Sequence, residues 1–439
     1  MDKIKSSWLM VLILVFMSGC GDSIVDVNHN EGVFSQGIVS TNGRKSSRAF
    51  DLESVDVVRS NGLSYLNSLR SSAGMLSFGS NSYLNAAALS HALYLVSSNT
   101  FGHYESKKTR GFTGITPWER AVAHGYPHYQ VSENVSGGNS DVKDSIDGLF
   151  SAIYHRFGFL DFSFDEVGIG KATSSRYAYT NAYNYDMGIA GMSEICSNNS
   201  ALNSYHYYTQ VCADLTQKVD EEAFSMVMEY NKNLNPKVVV WPYDGQQDSK
   251  TVFYEESPDP LPECGVSGYP ISIQFNDIKN GSIDMGSFKL FNVTTNQEVT
   301  NTKLMNKSND PNQRFTDKQF ALFPMERLNW NTNYRVEIEY NENGVYQKRN
   351  WSFKTKSLPY QYFVVTGNNQ SFSVARGATY LFYMKPANCN DVLREATASG
   401  LAVGIGFYDT NTIQITIPNQ SGNIFVTPSN GRNFTIHVN

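Results

Sequence analysis

Residues 90–106 read SHALYLVSSNTFGHYES, and the fold is decided by where that stretch changes character. Its first half carries on a stripe begun at Leu84: Ala87, Ala88, His91 and Leu95 recur at the three- and four-residue spacing that puts side chains on one helix face. The second half, with Gly102, His103, Tyr104 and Glu105, has no such period. The spacing predicts a helix that ends ahead of a loop bearing His103.

Working outward, Val58, Gly62, Tyr65, Leu66 and Leu69 repeat the helical stripe upstream. Downstream, Thr116-Pro117-Trp118-Glu119 has the form of a capping box with proline at the first helical position, and Gly125 supplies the stop. Ser140 is placed to cap a fourth helix whose stripe is Val142, Ile146, Leu149, Phe150 and Ile153. FDEVGIGKA (164–172) and SRYAYTNAYNYDMG (175–188) then read as strands, and the region closes with the β-branched run at 238–240 and the turn WPYDG at 241–245. Residues 54–256 are therefore expected to form one mixed unit of helices and sheet.

SPDPLP, residues 257–262, holds three prolines in six positions and marks a linker. Beyond it YPISIQF, FKLFNVT, YRVEIEY and YQKRNWSFKTK alternate without helical period, which predicts a β-sandwich over 263–356. YQYFVV, TYLFYMK, TIQITIP, NIFVTP and FTIHVN predict a further small β module over 360–439. The fold class is thus α+β and multidomain. With 17% charged residues, 13% aromatics and 35 basic against 41 acidic side chains, the chain is neither disordered in composition nor built to bind a phosphate backbone. Nucleic acid is not an expected partner.

Residues 1–20, MDKIKSSWLMVLILVFMSGC, run from two lysines through an apolar stretch to small residues and a cysteine, the order of an export signal. Met17-Ser18-Gly19-Cys20 resembles the lipobox of bacterial lipoproteins. That resemblance implies cleavage after residue 19, lipidation of Cys20, a flexible tether over 20–53 and, with Gly21 next, residence at the outer membrane or cell surface. Four cysteines then remain. Cys196 and Cys212, separated by what reads as a hairpin or surface loop, are expected to pair, whereas Cys264 and Cys389 either pair across modules or stay free. No CxxC, HExxH, GxSxG, Walker A or GxGxxG signature offers ready chemistry.

SHALYLVSSNTFGHYES, TPWERAVAHGY, SENVSGG and YHRFGFLDFSFDEVGIG, in that order, resemble the bacterial branch of the CAP superfamily, related to the cysteine-rich secretory and pathogenesis-related proteins. The resemblance implies an α-β-α sandwich with a cleft lined by two histidines and acidic residues. Position by position it marks His103, Glu133, His155 and Arg156 as cleft residues. Ser132 stands where glycine is usual, Leu149 replaces a tryptophan, and Ala152-Ile153-Tyr154 replaces Ser-Pro-Gly. A second acidic cleft residue would fall near Ser151, so that acid is missing.

The residues also speak for themselves. Were the fourth helix to run on to residue 155, His155 would lie about 180° around from Ile146, away from the apolar stripe. His91, on the apolar face, reads as a hydrogen-bonded core or rim histidine, and His124, His128 and His206 read as surface residues. His103, Glu133 and His155 would make a first shell for Zn²⁺ with one position open, so a divalent metal is the candidate cofactor. LNWNTNYRVEI and WSFKTK resemble Ig-like modules of bacterial surface proteins, which implies a spacing or presenting role. Phe382-Tyr383 and Phe407-Tyr408 are candidates for a carbohydrate or protein contact, one of each pair being core by alternation. Three functional readings follow: an envelope protein that binds an extracellular protein, lipid or carbohydrate ligand through the cleft, a metal-assisted extracellular hydrolase, and a carrier of lipid or sterol.

Overall fold

A computed structural model describes residues 38–39, 54–174, 181–198, 206–254 and 256–439. Cys20 and the signal lie outside them, as does the expected tether apart from Ile38–Val39, which pair in parallel with Glu395–Ala396. Among the described residues no helix is long and apolar enough to cross a membrane.

The first unit opens with α1 (Val55–Ser72) and α2 (Ser82–Ser98), capped by Ser54 and by Asn81, whose side-chain oxygens accept from the exposed first-turn N–H groups. α3 (Pro117–Ala123) carries the full capping box of Thr116 and Glu119. Strand β1 (Ser132–Gly137) follows, then α4 (Val142–Ser151), α5 (Ile153–Phe159), β2 (Glu166–Thr173) and β3 (Asn181–Gly188). The sheet runs Gly79–Ser80, β2, β3, β1, with β3 antiparallel to both long neighbours. Val167 and Ile169 of β2 pack with α1 and α4 on one face. On the other face α2 comes so close that a Cβ at Gly168 would stand 2.0 Å from the Leu84 carbonyl carbon, and one at Gly170 2.2 Å from that of Ala88. Those two glycines seat the helix that carries His91.

Two expectations change here. The cap of α4 is Asp141, whose carboxylate accepts from the N–H of Lys143 and Asp144, while Ser140 donates its N–H to Asp144. The helix also does not run on to His155: Ala152 adopts an extended conformation and α5 starts afresh. In a continuous helix Tyr154 N–H would bond the carbonyl of Phe150. That carbonyl is taken by Arg156 Nε at 2.7 Å and Tyr269 hydroxyl at 3.1 Å.

The β-sandwich starts earlier than 263. Val238–Trp241 pairs antiparallel with Ile271–Phe275, and Gln246–Ser249 pairs with Val345–Thr355, so residues placed by sequence in the first unit are edge strands of the two sandwich sheets. A β-branched run specifies a strand, not the sheet it joins. One hydrophobic core joins the two units: Leu66, Ile146 and Phe159 continue into Ile273, Val336 and Ile338, with Phe150 stacked on Trp241 at 4.3 Å. The last module, two sheets around Phe382, Ile413, Ile424 and Ile436, has a separate core. Disulfides link Cys196 to Cys212 and, across the modules, Cys264 to Cys389.

Candidate functional site

His103 lies on the loop after α2 and His155 in α5, and the fold brings them together: the ring centroids are 6.2 Å apart, with the planes 24° from parallel. Both side chains are 11% exposed. Each ring is held through Nδ1 by a carboxylate, His103 by Glu133 at 2.9 Å and His155 by Glu256 at 2.8 Å. With Nδ1–H donating, the neutral imidazole carries its lone pair on Nε2.

Glu133 is buried on β1, and both its oxygens are engaged, Oε1 by His103 and Oε2 by Arg120 Nη2 at 2.5 Å. Arg120, fully buried on α3, also donates to the carbonyl of His103 at 2.9 Å and lies 3.8 Å from Glu105. Burial alone would raise the Glu133 carboxyl. Arg120, then His91 and His103, more than offset it and hold the group well below the usual carboxylate range. Directly across the sheet lies Asp186, itself fully buried. Burial first, and the charge of Glu133 second, raise its carboxyl far above the ordinary value.

His91 is a core residue, with Nδ1 on Glu105 and Nε2 on the carbonyl of Gly102, both at 2.9 Å. It supports the His103 loop from below. His206 is exposed, but His128 is not the surface residue its Gly and Pro neighbours suggest. It is fully buried, donates from Nε2 to Ile189 carbonyl at 3.0 Å and accepts from Gln130 N–H at Nδ1. Burial pushes its pKa down to about 3.

Arg156 also departs from expectation. One residue past His155 on a helix is about 100° around, and the guanidinium turns away from the cleft into the sandwich. There it donates to Pro270 carbonyl at 2.8 Å and Ser272 hydroxyl at 3.0 Å. Conversely, Glu256 has no motif around it to mark it, being the last residue expected of the mixed unit, just ahead of the proline linker.

A divalent metal fits this geometry only in part. The two imidazoles have the carboxylate-backed Nδ1–H that orients a metal-binding histidine. Glu133 does not fit as a ligand, because both oxygens are spent behind His103. Among the described residues no group of three or more His, Cys, Asp or Glu side chains is arranged to hold a metal ion.

The model of the cysteine-rich secretory protein family, CAP, matches residues 63–187. Among solved structures, an extracellular protein containing an SCP domain from Bacillus anthracis is 16% identical over 30% of this chain and 40% of that one, with a TM-score of 0.26. An outer surface protein from Borrelia burgdorferi is 15% identical over 29% of this chain and 87% of that one, with a TM-score of 0.25. A cysteine-rich secretory protein from Staphylococcus aureus is 18% identical over 31% and 40%, with a TM-score of 0.24. The chain thus spans 40% of the length of the Bacillus and Staphylococcus proteins. No curated protein matches it.

Proposed function

We propose, from the premise that residues 63–187 form a CAP domain, that this is a ligand-binding protein of the bacterial cell envelope. In this reading residues 1–19 direct export, a lipid on Cys20 anchors the chain at the outer membrane or surface, and the cleft between His103 and His155 faces an extracellular partner.

The observation that carries the reading is the paired imidazoles, each oriented by a buried carboxylate and each reaching the surface. Two neighbouring imidazoles, each fixed through Nδ1, suit a ligand that brings a divalent cation or hydrogen-bond donors. A cation bound there would complete its shell from the ligand or from water, with Glu133 and Glu256 behind the rings. The probe is Zn²⁺, titrated calorimetrically into full-length protein made soluble by Cys20→Ser. A Kd at least tenfold weaker in His103→Ala/His155→Ala than in the parent is expected, because both imidazole ligands are gone. Equal affinity in both would overturn the reading. Turnover of casein or a lipid ester by the parent alone would make the cleft hydrolytic instead.

A further inference from the structure

Where the sequence offers only Ser151 for a second cleft acid, the structure supplies Glu256 from outside the matched domain. We propose that Glu256 is the positioning residue of His155, so that the ligand-competent cleft is assembled jointly by the CAP domain and the β-sandwich that follows it. The proposal deepens the binding reading above and rests on it for the role of His155.

Glu256 does two jobs with one carboxylate, whose side chain is 1% exposed. Oε1 accepts from the N–H of Ile153 at 2.5 Å, and Oε2 from His155 Nδ1 at 2.8 Å and the N–H of Tyr154 at 3.2 Å. The N–H groups that the break after α4 leaves without helical carbonyls are therefore satisfied by the same group that orients the ring. Start of helix and tautomer of histidine are fixed together.

The residues on either side of His155 are held by the sandwich as well. Tyr154 hydroxyl donates to Asp310 Oδ1 and accepts from Asn312 Nδ2, while Arg156 reaches Pro270 and Ser272. Asp310 is itself fixed, with Oδ2 accepting from the N–H of Arg314 at 2.5 Å and Phe315 at 2.9 Å. Beneath these bonds Ile153, Tyr154 and Phe157 share an apolar cluster with Phe253, Phe315 and Phe323, and the Phe157 and Phe315 rings meet edge to face at 5.2 Å. Three consecutive residues of α5 are thus set by the downstream module. A module that only spaced or presented the domain would have no reason to grip the cleft helix so densely.

The test uses the full-length Cys20→Ser protein with ¹⁵N-histidine, His103 and His155 being assigned by single substitution. Long-range ¹H–¹⁵N spectra at pH 7.5 should show both rings as the Nδ1–H tautomer. Glu256→Gln keeps an oxygen for the N–H groups of α5 and turns its amide to His155. His155 should then switch to Nε2–H while His103 stays as it was, and Zn²⁺ affinity should fall about 10- to 100-fold. An unshifted His155 in Glu256→Gln overturns the proposal. Glu256→Ala also removes the helix cap, so Glu256→Gln decides the matter if the alanine variant does not fold. A switch of His155 in a protein whose parent binds no Zn²⁺ upholds the positioning role and refutes the binding reading alone.

Discussion

His103 takes its carboxylate from Glu133, 30 residues on and inside the CAP domain, whereas His155 takes its own from Glu256, 101 residues on and outside it. What holds the first ring and its loop here belongs to the domain's own elements: Glu133 on β1, Arg120 on α3 behind it and His91 on α2. The second ring is fixed only when the sandwich docks. The difference teaches that a domain boundary drawn from sequence similarity is not the boundary of the site. One half of the cleft is made by the CAP fold, and the other is made by its neighbour.

The hardest blow to the self-contained half is Arg120→Ala. It leaves Glu133 and Glu105 buried without the cation that bonds one at 2.5 Å and flanks the other at 3.8 Å. Breaking a buried ion pair by removing one partner costs about 3–5 kcal/mol, and urea unfolding should show a loss of that size. A loss under about 1 kcal/mol would mean that the buried charges of this half are not what holds it.

Acid should find the same half. His128 is neutral in the folded protein and has its pKa lowered to about 3, against an ordinary 6.5 when unfolded. Between those values the unfolded chain takes up a proton that the folded chain refuses. Stability therefore falls as pH drops below 6.5, by about 2 kcal/mol at pH 5 at 1.36 kcal/mol per unit. Above pH 6.5 the group contributes no slope. Comparing urea midpoints at pH 7.5 and 5 in wild type and His128→Gln checks the sign. The variant should lose that part of the pH dependence, and an equal slope in both would remove His128 from the argument.

What could be read in advance follows this division. The helices α1 to α4 announce themselves by stripes and caps, and His103 and Glu133 by motifs, because local spacing determines which face a side chain takes. Partners at long range leave no such mark. Val238–Trp241 is legible as a strand, but the sheet that accepts it depends on Ile271–Phe275. Glu256 is an ordinary glutamate beside prolines until α5 is placed against it. His128 follows a genuine turn at 124–125, but it bridges to Cys212, and Tyr126 packed at 4.3 Å and the carbonyl of Ile189 hold its ring inward. Arg156 belongs with His155 to one sequence motif, yet a helix sends neighbouring side chains in different directions.

The smallest effects separate the ways in which the two modules can be joined. Surface ion pairs also lie where the two modules meet, Lys232 to Asp277 at 2.7 Å and Lys237 to Glu342 at 2.8 Å, and by charge alone they look the stronger link. Each pair has at least one half-exposed member, and such pairs contribute little after screening and side-chain entropy. Tyr154→Phe removes the hydroxyl that bonds Asp310 and Asn312, both of which keep their backbone partners, a loss of about 1 kcal/mol. Lys232→Ala/Lys237→Ala should cost less than about 0.5 kcal/mol in urea unfolding and leave the His155 tautomer as it is. Tyr154→Phe should cost more and disturb His155 but not His103. The reverse order would place the coupling on the surface, and the cleft would then have two self-sufficient halves rather than one.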